Sequence, residues 1–449
     1  MRRRAKSLHM WTYHPDLLAR PVPRYTSYPT AAEFSSDVGA TDQAEALARI
    51  GQQQAVSLYV HIPFCQEICW YCGCNTGRAN RAQRLGAYLD ALSAEIRTVA
   101  QRLGGRGKVG RIAFGGGSPN ALSPQEFLHL LTTLREAFNT ERPILSIELD
   151  PRSFTADWAQ ALGEAGVSRA SLGVQTFDPA IQAAIGRVQP HELIVETVGA
   201  LRANGVSSVN FDLIYGLPGQ DRAGLAETLD QTLALMPERI ALFGYAHIPH
   251  LLPRQRRIDA SNLPDQHERF AMAALGHEQL VAAGYQAIGF DHFALPDDAL
   301  ARAQREGKLR RNFQGFTEDE AEVLIGLGAT AISEFPDRLI QNEKNSGRYR
   351  MRAMAGHLAG ERGVRRCAED RDRAQLIEAL LCGRRASIAA FLAEPRLIDR
   401  LTPFLAQGLA DLEAGMLQIT PQGRPYGRAI AALFDRYRAA QDQRFSTAI

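Results

Sequence analysis

The stretch SLYVHIPFCQEICWYCGCNT, residues 57–76, joins a strand-like run to four of the six cysteines of the chain. Its first part, SLYVHI, is short, mostly apolar and rich in residues that favour β-structure, as in a buried strand. The cysteines follow at once, with the spacing Cys65-x3-Cys69-x2-Cys72 and with Cys74 two residues further on. We therefore expect a group of thiols at the carboxyl end of a strand.

The composition is that of an ordinary globular protein. The chain has 449 residues, of which 45% are hydrophobic and 22% charged, enough for two or three domains or one large α/β domain with additions. The net charge of +2 gives no reason to expect a nucleic-acid or membrane partner. No run approaches the roughly 18 apolar residues of a membrane span.

The basic start, MRRRAKSLHMWTYHP, is not followed by an apolar segment and is not typical of a secretory signal. We therefore expect a cytoplasmic location, where thiols stay reduced. Clustered cysteines in that compartment indicate metal binding or catalysis rather than disulfides.

Short β-like runs alternate with helix-like segments from about residue 55 to residue 335. The candidate strands are residues 57–62, 111–114, 145–149, 170–174, 209–216, 240–245 and 285–290. Ser123, Pro124 and Glu126 form a capping signal that predicts a helix between two of these strands. The alternation predicts a parallel sheet in a complete or partial (β/α) barrel, with a doubly wound sheet as the rival. Both folds place active groups at the carboxyl ends of strands.

Three regions are predicted along the chain. Residues 1–45 are expected to form an extended N-terminal arm, residues 46–345 the barrel, and residues 346–449 a mainly helical C-terminal domain. The last region contains helix, short hairpin and helix patterns that resemble a winged-helix unit. It has no dense basic face, so we expect it to pack against the barrel without binding DNA.

The cysteine spacing favours an iron–sulfur cluster over a zinc site. Structural zinc usually takes two separated ligand pairs, whereas Cys367 and Cys382 lie far away and form no pair. Three thiolates on one short loop suit a [4Fe–4S] cluster, because each can bind one iron and leave the fourth iron open. A zinc knuckle or incidental thiols are the alternatives.

The motif C-x3-C-x2-C, with Tyr71 before its third cysteine, resembles the signature of radical S-adenosylmethionine (SAM) enzymes. The longer string YVHIPFCxxxCWYCGCN resembles one branch of them, the oxygen-independent coproporphyrinogen III oxidases, also called coproporphyrinogen dehydrogenases. The resemblance runs along nearly the whole chain. It includes PRYTSYPTA (23–31), GGGSP (115–119), DPR (150–152), GVQTF (173–177), NFDLIYGLPGQ (210–220), YAHIP (245–249), GFDHFALPDD (289–298), QREGKLRRNFQGF (304–316) and GATAIS (328–333).

The resemblance implies a partial (β/α) barrel of the radical SAM type, and it implies how the cofactors are held. Cys65, Cys69 and Cys72 would bind a [4Fe–4S] cluster, and one or possibly two SAM molecules would lie beside it. No catalytic residue is implied beyond the cluster and SAM. The implied cofactor-binding residues are Tyr59, Tyr71, Gly116, Gly117, Ser118, Glu148, Gln175, Arg187, Asp212, Ala246 and Ile332. A second SAM would use Tyr71, Gln175, Arg187, Asp212 and Ala246.

Simpler interpretations stand beside these. The three glycines from 115 to 117 also suit a tight turn, and Ser118 and Asn120 depart from the usual GGGTPT of the branch. A carboxylate in a buried strand needs a partner, so Glu148 could form a salt bridge with Arg152 or Arg187. The pair Asp291 and His292 could be a buried structural pair or an active-site pair, and we favour the structural interpretation slightly.

The implied reaction is anaerobic oxidative decarboxylation of coproporphyrinogen III to protoporphyrinogen IX by SAM-derived 5′-deoxyadenosyl radicals, in heme and porphyrin biosynthesis. The substrate carries propionates, which guanidinium groups bind well. Arg24, Arg310 and Arg311 are the candidates, together with the arginines of 254–257, a region that departs from the branch pattern. The implied partners are the substrate and an electron donor such as a flavodoxin or ferredoxin, and we expect a monomer.

Two alternatives remain. One is a heme-binding or heme-trafficking protein that resembles radical SAM enzymes but has no oxidase activity. That branch generally has phenylalanine where Cys74 stands and lacks the N-terminal arm, so Cys74, the arm and NFQGF (312–316) favour the oxidase. The other is a radical SAM enzyme that acts on a different tetrapyrrole or acidic substrate.

Overall fold

A twelve-stranded sheet forms the centre of the fold. The computed structural model describes residues 11–79 and 82–438; the basic start of the predicted arm and the end of the predicted C-terminal domain lie outside these residues. The strands are β1 Ala55–Ile62, β2 Phe64–Cys65, β3 Gly77–Arg78, β4 Lys108–Gly116, β5 Thr140–Leu149, β6 Arg169–Gln175, β7 Ser208–Tyr215, β8 Arg239–Gly244, β9 Gln286–Ile288, β10 His292–Ala294, β11 Arg310–Asn312, β12 Gly315–Thr317, β13 Val323–Leu327, β14 Ile332–Phe335, β15 Arg338–Asn342, β16 Gly360–Arg365, β17 Ala386–Ser387, β18 Ala410–Glu413 and β19 Met416–Ile419.

The strand order distinguishes the two folds that the sequence allows. The sheet runs β16-β15-β14-β13-β1-β4-β5-β6-β7-β8-β10-β9, and the strands from β1 to β8 in this row are parallel and follow chain order. A doubly wound sheet reverses its order near the middle, and this one does not. The end strands β16 and β9 do not pair with each other in the described sheet. The prediction of a partial (β/α) barrel is confirmed.

The margins of the sheet are antiparallel, which the sequence pattern does not indicate. The last predicted strand, 285–290, shortens to β9 and pairs antiparallel with β10, which pairs antiparallel with β8. On the other side, β14, β15 and β16 are antiparallel. Phe335 pairs with Arg338, so only two residues connect β14 to β15, and so short a connection forces a hairpin.

Helices cover the outside of the parallel strands. The helices in the described ranges are α1 Pro15–Leu18, α2 Ala40–Ala48, α3 Ala82–Leu103, α4 Pro124–Ala137, α5 Ala156–Ala165, α6 Pro179–Ala184, α7 His191–Ala203, α8 Arg222–Leu235, α9 Gln266–Ala282, α10 Ala299–Arg305, α11 Ser346–Met354, α12 Ala368–Leu381, α13 Leu397–Ala406 and α14 Gly427–Ala431. The predicted cap of α4 is confirmed: the Glu126 amide donates to Ser123 Oγ over 3.2 Å, and the Ser123 amide donates to Glu126 Oε2 over 2.7 Å. None of the helices in the described ranges has both the length and the apolar character needed to span a bilayer.

The N-terminal arm contacts both the sheet and the C-terminal region. Ser35 pairs with Gly363 of β16, and the Tyr25 hydroxyl donates to Asp435 over 2.9 Å. In the C-terminal region, α12 and α13 pack with the small sheet β17-β19-β18, an arrangement of helices and a hairpin like that of a winged-helix unit. The predicted domain limits stay a prediction; α2 crosses the first of them, and β16 belongs to the main sheet.

A turn after β13 packs closely against the end of β1, beside the cysteine loop. Gly328 has φ +100°, and a Cβ atom there would lie 2.6 Å from the His61 carbonyl oxygen and 2.6 Å from Tyr88 Oη. The Gly328 amide donates to Glu95 Oε2 over 2.7 Å, and the Tyr349 hydroxyl donates to the same oxygen over 2.6 Å. The turn therefore requires a residue without a side chain.

We expect Gly328→Ala to reduce the free energy of unfolding by about 3 kcal/mol, because backbone strain adds to two steric overlaps. Gly205→Ala is the matched control. Gly205 also has positive φ, at +88°, but nothing lies within 4 Å of the position that a Cβ atom would occupy there, so we expect a loss of about 1 kcal/mol. Denaturant-induced unfolding measures both variants, and equal losses would contradict this account of the turn.

Candidate active site

The cysteine loop is closed on itself at the carboxyl end of β1. The Gly77 amide donates to the Pro63 carbonyl and the Ala79 amide to the Cys65 carbonyl, each over 2.9 Å. These bonds make β2 and β3 a short parallel pair and return the chain to the barrel wall. The thiols consequently face the mouth of the barrel.

The structure brings most of the predicted site residues around one cavity of about 200 Å³. They are Cys65, Cys69, Tyr71, Cys72, Gly116, Gly117, Ser118, Glu148, Gln175, Arg187 and Asp212. Tyr59 lines a wider adjoining cavity that shares Glu148 and Gly116. Ala246 lines a further cavity beyond β8, and Ile332 lies in β14. Predicted residues for the cluster and for the first SAM are thus neighbours in space.

The glycine loop lies against the strand that carries the cysteines. The Gly117 amide donates to the Ile62 carbonyl over 2.9 Å. A Cβ atom on Gly117 would collide with the Phe64 carbonyl oxygen, and one on Gly116, where φ is +108°, would collide with the His61 ring. The glycines are required by this close approach, which leaves backbone groups open to the cavity.

The two departures from the branch pattern in this loop form one hydrogen-bond network. The Asp150 amide donates to Ser118 Oγ over 3.1 Å and to Asn120 Oδ1 over 3.0 Å, and Asn120 Nδ2 donates to the Asp150 carbonyl over 2.9 Å. Ser118 and Asn120 are both buried. They therefore fix the glycine loop to the end of β5.

Glu148 faces the cavity without the salt bridge considered from the sequence. Its Oε2 accepts from the Gly116 amide over 3.1 Å, whereas Arg152 and Arg187 both pair with Asp150 instead. The carboxylate opens into the cavity but is enclosed by the barrel, and this loss of bulk water raises the pKa of Glu148 to about 7.

Asp212 is the second carboxylate at the cavity. It accepts from Ser171 Oγ over 3.0 Å and from Asn210 Nδ2 over 2.8 Å, which fixes its orientation. Burial raises the pKa of Asp212, although both hydrogen bonds oppose the rise. Glu148 and Asp212 together offer acceptors for hydroxyl or ammonium groups of a ligand.

The cysteines have different surroundings. A hydrogen bond from the Cys74 thiol lowers the pKa of Cys72 to about 6, and the Cys74 amide donates to the Cys72 sulfur over 3.3 Å. Burial raises the pKa of Cys65 to about 12. Cys69 Sγ accepts from Arg152 Nη2 and from Arg187 Nη1, each over 3.3 Å.

The donor set fits an iron–sulfur cluster. Within the described ranges no three His, Cys, Asp or Glu side chains are grouped so that they could hold a metal ion. A cluster does not require its ligands to meet at a single metal ion, because each thiolate binds a separate iron. Three thiols on one cavity wall, with backbone groups of the glycine loop on another, suit a cluster and an amino-acid ligand beside it.

Sequence reasoning missed two residues that shape the site. Asp150 entered the sequence analysis only as part of the DPR motif, but it pairs with both arginines at Cys69. Gln255 is buried; it donates to the carbonyls of Tyr71 and Ala246, each over 3.0 Å, and so fastens the segment after β8 to the cysteine loop. The position of Asp150 after a strand was a usable signal, whereas nothing in the sequence indicates Gln255.

Of the three arginines proposed to bind the substrate, two lie side by side and the third lies apart. Arg24 lines the cavity beyond β8 and lies over the Phe243 ring, with 5.3 Å to its centroid. Arg311 is adjacent and donates through Nη2 to the Arg24 carbonyl over 3.1 Å. Arg310 instead forms an ion pair of 3.2 Å with Glu378 of α12.

Asp291 and His292 form a short pair beside this cavity. His292 Nδ1 lies 2.6 Å from Asp291 Oδ1. The pairing with its neighbour lowers the pKa of Asp291 even though burial opposes the change. The pair lies beside Arg24, because Asp291 lines the same cavity.

The partial parallel barrel and the three-cysteine loop define a radical SAM protein, and the Radical SAM superfamily matches residues 59–232. An oxygen-independent coproporphyrinogen III oxidase from Bradyrhizobium diazoefficiens is 42% identical over 437 residues, which are 95% of this chain and 97% of that protein. The enzyme of the same name from Paracoccus denitrificans is 43% identical over 93% of this chain and 95% of its own length.

The solved structure of coproporphyrinogen III oxidase from Escherichia coli, described as a radical SAM enzyme, superposes with a TM-score of 0.88. It is 37% identical, and the match covers 96% of this chain and all of that one. The chain belongs to the oxygen-independent coproporphyrinogen III oxidase family. Its cofactors are accordingly a [4Fe–4S] cluster and SAM.

We expect Cys72→Ser to lose the cluster and Cys74→Ser to keep it. Cys74 is exposed, and its contact with Cys72 through the backbone amide survives the substitution. Iron and sulfide content after anaerobic reconstitution measures both variants. Iron-free Cys74→Ser protein would contradict this division between the two cysteines.

Proposed function

We propose that this chain converts coproporphyrinogen III to protoporphyrinogen IX by anaerobic oxidative decarboxylation of two propionates, as a step of heme and porphyrin biosynthesis. Relatives that share about 40% of its residues over nearly its whole length are named for this substrate. The observation that carries the proposal is the presence of two cavities: one is lined by the three thiols, and the other, beyond β8, is lined by arginines suited to carboxylates.

When bound, the cluster and SAM supply a one-electron reductive cleavage that generates the oxidant for the substrate. Cys65, Cys69 and Cys72 would hold the cluster. The glycine loop would present its backbone to the amino-acid part of SAM, with Glu148 and Asp212 accepting hydrogen bonds from its amino and hydroxyl groups. A SAM molecule bound there would fill the cavity and so exclude water from these groups.

A second SAM would lie toward Ala246. Gln175 and Arg187 line the first cavity on the side of β6, and Tyr71 packs there among apolar side chains. Ala246 follows β8, where the second cavity begins. A molecule between Tyr71 and Ala246 would connect the cysteine loop with the arginines.

The propionates would be held by guanidinium groups around the second cavity. Arg269 Nε and Arg311 Nη1 are buried donors that have no acceptor among the described residues. Arg24 lies in the same cavity. Unpaired buried donors are costly, so an anionic ligand that pairs with them would be bound strongly.

An exposed basic turn beside the cysteine loop suits an acidic electron donor, such as a flavodoxin or ferredoxin. Arg256 and Arg257 are exposed, and the Arg257 guanidinium lies 4.3 Å from the centroid of the Trp70 ring, next to Cys69. We also propose a cytoplasmic monomer. All six cysteines are free, as in a reducing compartment.

The heme-trafficking alternative is less well supported, since the relatives matched over the whole chain are named as oxidases. A heme titration separates the two functions. Tight stoichiometric heme binding without turnover would favour trafficking, whereas turnover without such binding favours the oxidase.

The anaerobic assay with coproporphyrinogen III tests the function and the arginine cavity together. We expect the wild type to cleave SAM and release carbon dioxide, and Arg269→Gln to raise KM at least about tenfold, because a lost charged hydrogen bond costs about 1.5–3 kcal/mol. Arg222→Gln, which changes an exposed arginine paired with Glu268, is the control and should leave KM unchanged.

The outcomes are distinct. SAM cleavage by the wild type without release of carbon dioxide would contradict the oxidase function. An unchanged KM in Arg269→Gln, with normal turnover, would contradict only the placement of the propionates.

A further inference from the structure

Cys69 differs from the other two proposed ligands because two arginines donate to its sulfur. Arg152 Nη2 and Arg187 Nη1 each lie 3.3 Å from Cys69 Sγ. No hydrogen bond joins an arginine to Cys65 or Cys72 in the part of the chain that the structure describes. The hydrogen bonds from arginine at the cysteine loop are therefore concentrated on one sulfur.

Asp150 holds both arginines in place. It pairs with Arg152 through two bonds, Nε to Oδ1 over 3.0 Å and Nη2 to Oδ2 over 2.6 Å. It accepts from Arg187 Nη2 over 3.1 Å. The side chains of all three are at most 10% exposed, so each is held in one position by packing as well as by charge.

The two arginines are not equivalent. Arg187 lines the cavity and is a candidate for SAM itself. Arg152 does not line that cavity; among the described residues its guanidinium bonds to Asp150, to Cys69 and, through Nη1, to Glu67 over 2.9 Å. Arg152 can therefore influence the reaction only through its hydrogen bond to the Cys69 sulfur.

We propose that Arg152, oriented by Asp150, is a positioning residue that raises the reduction potential of the cluster through its hydrogen bond to Cys69. This rests on the proposed ligation of the cluster by Cys69. Reduction adds one electron to the cluster and makes or breaks no bond to the protein. Hydrogen bonds and positive charge at the ligand sulfurs stabilise the more negative, reduced form, and so they raise the potential.

The consequence is a cluster that a donor of moderate reducing power can reduce. Asp150 and Glu67 together offset the charges of the two arginines, so neither arginine is left as an uncompensated buried cation. Ser118 and Asn120 hold the Asp150 backbone, so the residues at the two departures from the branch pattern also support the orientation of Arg152.

A redox titration of the reconstituted cluster, followed by electron paramagnetic resonance with dithionite as reductant, tests the proposal. We expect Arg152→Gln to bind iron as the wild type does but to have a more negative midpoint potential. Arg152→Lys keeps the positive charge but not the planar guanidinium. Its midpoint potential should lie between those of the wild type and Arg152→Gln. Arg135→Gln is the control: Arg135 donates to the Ala165 carbonyl away from the cysteine loop, so its potential should equal that of the wild type.

Iron content separates failure of the proposed ligation from failure of this inference. An Arg152→Gln variant with full iron and an unchanged midpoint potential would overturn the inference. If that variant loses its cluster, Glu67→Gln decides, because Glu67 is 65% exposed and binds Nη1 of Arg152 rather than the Nη2 that donates to Cys69. Its removal should make the potential more positive, and no change would overturn the inference.

Discussion

The contact between the cysteine-bearing strand and the glycine loop is the constraint on which the rest of the site depends. The Gly117 amide bonds to the Ile62 carbonyl, and the Ser118 amide bonds to the Phe64 carbonyl over 2.7 Å. These two bonds set the separation between the wall that carries the thiols and the wall that presents its backbone. No side chain fits at Gly117, so the spacing is fixed by the absence of a Cβ atom.

The charged residues of the site lie around this contact. The Asp150 amide bonds to the glycine loop, and its carboxylate pairs with the two arginines that donate to Cys69. This one residue therefore connects the position of the loop to the charges beside the proposed cluster. Glu148, two residues earlier, lines the same cavity and accepts from the Gly116 amide instead. Beyond β8, Arg24 and Arg269 line the cavity suited to propionates. The carboxylates and thiols thus share one cavity, whereas the arginines suited to propionates line another.

The sequence predicted what is local and periodic. The alternation of strands and helices and the cap at Ser123 depend on neighbouring residues, so they could be read from the chain. The antiparallel margins could not, because a two-residue turn and distant pairing partners determine them. Arg310 and Arg311 show why not every site residue could be predicted from the sequence. Successive residues of a strand point to opposite faces, so Arg310 pairs with Glu378 whereas Arg311 lies beside Arg24.

The central claim is that the glycine loop and the cysteine strand form one unit that holds the cluster and SAM together. Gly117→Ala tests it most directly, with Gly110→Ala in the preceding strand β4 as the control, because nothing lies within 4 Å of a Cβ atom at Gly110. Iron content and equilibrium binding of SAM are measured on folded, reconstituted protein. The account predicts that Gly117→Ala loses cluster and SAM affinity together while Gly110→Ala keeps both. Full iron and undiminished SAM binding in Gly117→Ala would contradict it.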